Sequence, residues 1–173
     1  MVIEHRYAAR LRWSGSTGVG YDHYPREHEV VVAGESLRMS SDPHFGGDPA
    51  SRNPEQLLVM AASSCQLLSF LAVAARARLD VLAYDDDAAG LMTQGDGPAW
   101  VELIQLRPRI ELAAGSRTDQ LQRLVEIAHR ECFIARSLRS GMKIEATIVV
   151  EGQDVTVVRV ADAAAPRVEP QRG

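Results

Sequence analysis

Hydrophobic residues change their period along this chain, and each change marks an element. Tyr7, Ala9, Leu11 and Trp13 alternate with more polar neighbours, the period of a strand. Ser14 to Gly20 is rich in Gly and Ser and reads as a turn. Glu27 to Val32 and Ser36 to Ser40 read as short strands flanking Ala33-Gly34-Glu35, so an antiparallel three-strand meander is expected. Asp42 to Arg52, with two prolines and two glycines, reads as a loop. A helix is then predicted from Asn53 to about Arg78. Asn53 suits the N-cap, Pro54 the first helical position, and Glu55 the positive end of the helix dipole. Gln56, three residues after Asn53, resembles the far half of a capping box.

From Leu57 to Ala75 this helix is apolar on nearly every face, so it is expected to be buried all round. A domain of this size does not easily surround such a helix, and a second subunit is the simplest cover. No run is read as a membrane span: Leu67 to Ala75 is short, and Arg76 and Arg78 close it. Val81 to Tyr84 and Gly90 to Thr93 look like a strand interrupted by an acidic turn, Asp85-Asp86-Asp87. Trp100 to Leu112 alternates again, with Pro108 arguing for an edge or a bulge. A second helix begins near Thr118 or Asp119, with Leu121, Leu124, Val125 and Ala128 on one stripe. Gly141 breaks the chain, Ile144 to Val150 is a strong strand, and Val155 to Val160 is a candidate partner for it. The order predicts an α+β fold, one domain over residues 1–160, and a flexible tail over 161–173.

Composition narrows the function. A formal charge of −4 gives no electrostatic reason to expect nucleic acid or an anionic membrane surface. The start of the chain lacks a signal-peptide core, and two cysteines are too few for a disulfide scaffold, so a reducing, cytoplasmic setting is expected. Both cysteines sit in helical contexts: Cys65 in Ala62-Ser63-Ser64-Cys65, Cys132 in Ala128-His129-Arg130-Glu131-Cys132. They act together only if the fold brings them close; otherwise each is a small buried hydrophobe. A reactive thiolate needs a cation, and arginine can pair with a carboxylate while still offering donors. Arg26, on a loop, is the candidate cation. Glu55 lies too far along its own helix to touch Cys65 directly, so it acts through an arginine or at a partner's site. His129 shares a helix face with Cys132, but the pattern is too sparse for a zinc site. Ser63 and Ser64 lack a nucleophile-elbow context.

These residues resemble the OsmC/Ohr family of thiol peroxidases. The resemblance rests on Asn53-Pro54-Glu55-Gln56-Leu57-Leu58, on Ala62-Ser63-Ser64-Cys65 and on Ala128-His129-Arg130-Glu131-Cys132. The loop Asp42-Pro43-His44-Phe45-Gly46-Gly47-Asp48 and Tyr24-Pro25-Arg26-Glu27-His28 add to it. It implies an OsmC-like fold with antiparallel strands around two central helices in an intertwined homodimer. It implies reduction of organic hydroperoxides in oxidative-stress defence, without metal, haem or flavin. Cys65 would be the peroxidatic cysteine, Cys132 the resolving one, and Glu55 the carboxylate that orients an active-site arginine, Arg26, with Arg12 the alternative. A dithiol would restore the enzyme, of lipoyl type in the Ohr branch. Two competing expectations remain: a non-catalytic OsmC-like protein that binds a small apolar ligand, and a structural role with both thiols inert.

Overall fold

A computed structural model describes residues 2–162 of the chain. Packing divides it into two compact units, one ending at Leu57 and one starting at Leu58. In the first unit, β1 (Arg10–Arg12), β2 (His28–Val32) and β3 (Glu35–Met39) form the expected meander, in the order β1-β2-β3. Arg12 pairs with Glu29 and Glu29 with Arg38, so opposite charges alternate across the sheet. The β2–β3 turn places Ala33 and Gly34 both at positive φ, which suits a tight two-residue hairpin. β1 is shorter than the alternation predicted. Arg10 already pairs with Val31, and β2 ends at Val32, so Tyr7 lies beyond the end of β2. Short 3-10 turns occupy Thr17–Val19 and Pro43–Phe45.

α1 (Pro54–Arg76) starts as predicted. Gln56 N–H donates to Asn53 Oδ1 at 2.8 Å, and Asn53 N–H donates to Gln56 Oε1 at 3.1 Å, a reciprocal capping box. At the other end Arg78 takes a left-handed conformation and Leu79 N–H reaches back to Ala74 O.

The second unit is a mixed sheet with helices packed on it. β4 (Val81–Asp86) and β5 (Ala89–Met92) pair antiparallel with β7 (Pro108–Leu112) and β6 (Val101–Leu106) respectively. Asp86 faces Pro108 and Ala89 faces Gln105, so one register runs through both pairs. β6 and β7 in turn pair parallel with β8 (Gly141–Val150), again in one register: Leu103 with Gly141, Arg109 with Thr147. Residues 81–92 and 101–112 are therefore two continuous ribbons, each broken once. The first breaks at Asp87 and Ala88, while Asp85 and Asp86 stay in the strand rather than forming a turn. The second breaks at Arg107, and Pro108 opens β7 in the sheet interior rather than at an edge. Its missing N–H costs nothing at a break already present. β9 (Gln153–Ala161) adds antiparallel to β8 and runs one residue into the segment expected to be a tail; residues 163–173 lie outside the described residues.

α2 (Leu121–Glu131) buries its predicted stripe of Leu121, Leu124, Val125 and Ala128, and α3 (Phe133–Ser137) follows at once. These residues join Ile104, Leu106, Ile110, Leu112, Met142 and Ile148 of the sheet in one core. α1 contributes Ala62, Phe70, Val73 and Ala74. Within the single chain α1 is not covered all round, and burial of its open face is left to the expected second subunit. Met60, Leu68 and Leu71 stand exposed, Leu68 at 63%. The expectation that no segment is membrane-long needs correcting. α1 is long and apolar enough to cross a membrane by length and composition, because its scattered serines and glutamines do not offset its Leu, Val and Ala content. The face that runs through Ala62, Gln66, Phe70 and Val73 is packed in the protein core.

Candidate active site

α1 and the α2–α3 junction bring the two cysteines together. Cys65 lies mid-way along α1 and is half-buried, while Cys132 is fully buried. Cys132 ends α2 and caps α3, with an extended backbone at φ −68°, ψ 111°. Two successive N–H groups at the start of α3 then serve the two sulfurs. Ile134 N–H donates to Cys65 Sγ at 3.4 Å, and Ala135 N–H donates to Cys132 Sγ at 3.4 Å. Both cysteines are free thiols. Burial, reinforced by the neighbouring Cys65 sulfur, pushes the Cys132 thiol up to about 11, against the opposing pull of the α3 N–H groups. Cys132 is thus a protonated, inaccessible thiol at neutral pH, and Cys65 is the one a solute can approach.

Polar groups beside the pair are unusual. Gln66 is almost fully buried, and its Oε1 finds no donor among the described residues. Tyr84 packs on Phe70, and its hydroxyl is likewise buried and unpartnered. Burial first, then the nearby Asp86 and Cys132, raise the Tyr84 pKa, so it is a phenol at any ordinary pH. Ser63 donates to Asp86 Oδ2 at 2.5 Å and Arg107 N–H donates to Asp86 Oδ1 at 2.7 Å, which makes that serine a strut between α1 and the sheet break. Among the described residues no cluster of three His, Cys, Asp or Glu side chains could hold a metal ion, and His129 is engaged with Asp162 at 2.7 Å.

Arg26 and Glu55 belong to the first unit, where both line a cavity of about 420 Å³ with Trp13, Tyr24, Phe45 and His28. The Arg26 guanidinium donates to Tyr24 O at 2.8 Å and Tyr21 O at 2.6 Å, and lies 3.9 Å over the Tyr24 ring. Gly46, at φ +76°, leaves room for it: a Cβ there would stand 3.1 Å from Arg26 Cζ. No ion pair joins Arg26 to Glu55 among the described residues. Arg26 Nε and Glu55 Oε2 are instead both buried without a partner. Arg12 is an exposed residue of β1 opposite Glu29. The holders of Arg26, two tyrosines and a glycine on loops, carry no periodic signal in the sequence.

The family model of OsmC-like proteins matches residues 46–147, more than half the chain and both cysteines. The chain belongs to the OsmC-like protein family. It is similar to an OsmC-like protein of unknown function from Vibrio cholerae, at 28% identity and a TM-score of 0.73 over 84% of this chain and all of that one. The fold also matches an organic hydroperoxide resistance protein from Elizabethkingia anophelis, at 19% identity and a TM-score of 0.63 over 87% of this chain and 100% of that one. In sequence it is 21% identical to the uncharacterized protein YmaD of Bacillus subtilis, over 88% of this chain and 100% of that protein. The α+β, OsmC-like architecture expected from the sequence is thus the one observed, and the family includes proteins named for organic hydroperoxide resistance.

Proposed function

We propose that this OsmC-like protein is a thiol peroxidase that reduces organic hydroperoxides. The observation that carries the reading is the thiol pair: one half-buried sulfur and one buried sulfur, each held by a successive N–H group of α3. The Cys65 thiolate attacks the distal oxygen of ROOH. The O–O bond breaks, the alkoxide RO− leaves and takes a proton from solvent to become ROH, and Cys65 becomes a sulfenic acid. Cys132 sulfur then attacks Cys65 sulfur, the S–O bond breaks, and the Cys132 proton leaves with the hydroxyl as water, giving a Cys65–Cys132 disulfide. An external dithiol reduces that disulfide and is itself oxidised to a disulfide. A high pKa at Cys132 suits this order, because Cys132 stays protonated and silent until Cys65 presents an electrophilic sulfur beside it.

Arg26 is the proposed cation for the thiolate and for charge developing on the peroxide oxygen, with Glu55 as its positioning carboxylate. The buried Arg26 Nε and Glu55 Oε2, without partners among the described residues, support this, since each has unused hydrogen-bonding capacity there. The proposed assembly is a homodimer, supported by Met60, Leu68 and Leu71 exposed along one face of α1. The proposed setting is cytoplasmic.

Stopped-flow mixing of the reduced protein with cumene hydroperoxide tests the chemistry. Cys65→Ser should abolish peroxide consumption. Cys132→Ser should consume one equivalent and stop at a sulfenic acid on Cys65. A sulfenic acid trapped first on Cys132 would reverse the assignment. A second reading, a non-catalytic protein for a small apolar ligand, draws on the aromatic cavity of Trp13, Tyr24 and Phe45. Absence of any thiol loss under saturating peroxide would favour it.

A further inference from the structure

A second cavity, of about 710 Å³, lies in the unit that starts at Leu58, where the end of α2, α3 and the start of β8 meet. Its volume is that of a small-molecule site. Arg130, Arg136 and Arg139 line it, together with His129, Ser140 and Asp162. The charge of this lining runs against that of the chain as a whole, whose net charge is −4. Several arginines elsewhere are matched to carboxylates: Arg38 to Asp48, Arg76 to Glu131, Arg109 to Asp154, Arg117 to Asp119, Arg159 to Glu145. The three cavity arginines have no carboxylate partner among the described residues.

The one acid in the lining is already occupied. Asp162 takes His129 Nε2 on Oδ1 at 2.7 Å and Met142 N–H on Oδ2 at 3.0 Å. His129 is itself mostly buried, and its Nδ1 is buried with no partner among the described residues. Arg139 is positioned without using its donors. Its guanidinium stacks 4.1 Å over the Trp100 ring, which fixes the plane while leaving the N–H edge free. Three guanidinium groups lining one cavity, none paired with a carboxylate among the described residues, match an oxyanion bearing two charges.

We propose that this cavity is a binding site for a small organic dianion, either a phosphate monoester or a dicarboxylate. The site stands independently of the peroxidase reading. It shares α3 with the thiols, since Arg136 follows the Ala135 N–H that serves Cys132.

Isothermal titration of the reduced full-length chain with phenyl phosphate in one arm and succinate in the other tests it. Saturable binding in either arm is expected, and the arm that binds tells the two sources apart. Arg136→Gln with Arg139→Gln should weaken that binding at least about tenfold, the worth of one charge-assisted hydrogen bond. Arg38→Gln with Arg159→Gln removes the same charge elsewhere and should change affinity by less than about twofold, because exposed charges act weakly at a distance. Equal weakening by both double variants would overturn the site in favour of diffuse electrostatics. Failure of both probes to saturate below about 10 mM, weaker than a specific small-ligand site, would overturn it outright.

Discussion

Burial of Cys132 should be readable as alkaline instability. The thiol is fully buried, and burial is the largest cause of its rise from an ordinary 9.0 to about 11. In the unfolded chain it ionises near its ordinary value. Between those values the unfolded state has lost the proton while the folded state keeps it. Folding stability therefore falls as pH rises through this window and is unaffected below it. The loss is roughly 1.4 kcal/mol per pH unit for one proton, so about 1.3 kcal/mol between pH 8 and pH 10. Cys132→Ala removes the titrating group. Its packing cost is independent of pH, and the raised Tyr84 phenol is present in both proteins and largely cancels. Urea unfolding under reducing conditions at both pH values gives the comparison. The wild type should lose about 1.3 kcal/mol more than Cys132→Ala on going from pH 8 to pH 10. An identical pH dependence in the two proteins would show that Cys132 ionises normally in the fold, and a wild type that loses less would show a lowered pKa. Either result refutes burial as the dominant influence and removes the reason for a silent resolving thiol.

Other outcomes follow from particular contacts. Asn53→Ala removes the Oδ1 that accepts from Gln56 N–H and should cost about 0.5–2 kcal/mol in urea unfolding, with Asn53→Asp recovering most of it. Gly47→Ala places a Cβ 1.7 Å from Ser41 O and should destabilise by more than about 2 kcal/mol, whereas Gly95→Ala, which meets nothing within 4 Å, should stay within about 0.5 kcal/mol. Leu68→Glu on the exposed face of α1 should yield a folded monomer in sedimentation, and an unchanged dimer would move the interface elsewhere. Arg26→Ala and Glu55→Ala should be non-additive in peroxide reduction if the two form one network, and strict additivity would separate them.

Much of the fold was legible because local and global signals agree. Asn53, Pro54 and Gln56 announce the start of α1 within one turn, and the stripe on α2 is the one the core receives. The two broken ribbons were also visible, as alternating runs with a single flaw. The nature of each flaw was not. Pro108 argues for an edge only when a neighbour needs its N–H, and at an existing break none does. Apolarity on every face of α1 states that a face needs cover without stating whose. In the single chain the face of Ala62, Gln66, Phe70 and Val73 receives it, while Met60, Leu68 and Leu71 stand open, the gap for which a second subunit is expected.

The site divides along the same line between local and distant information. Cys65 and Cys132 stand out by residue type and helical context. What turns two thiols into a pair is α3, and Phe133–Ser137 is too short to show a period of its own. Arg26 was found as a lone cation on a loop. Its stacking on Tyr24 and its bonds to the carbonyls of Tyr21 and Tyr24 come from backbone turns that no repeat encodes. The basic cavity is further out of reach, since Trp100, Arg139 and Asp162 meet only after the ribbon, the helices and β9 have packed. A buried thiol that resists ionisation and a half-buried one beside it are thus a tertiary product. The chemistry proposed for them depends less on the cysteines' own neighbours in sequence than on one extended residue, Cys132, where α2 stops and α3 turns its first N–H groups onto both sulfurs.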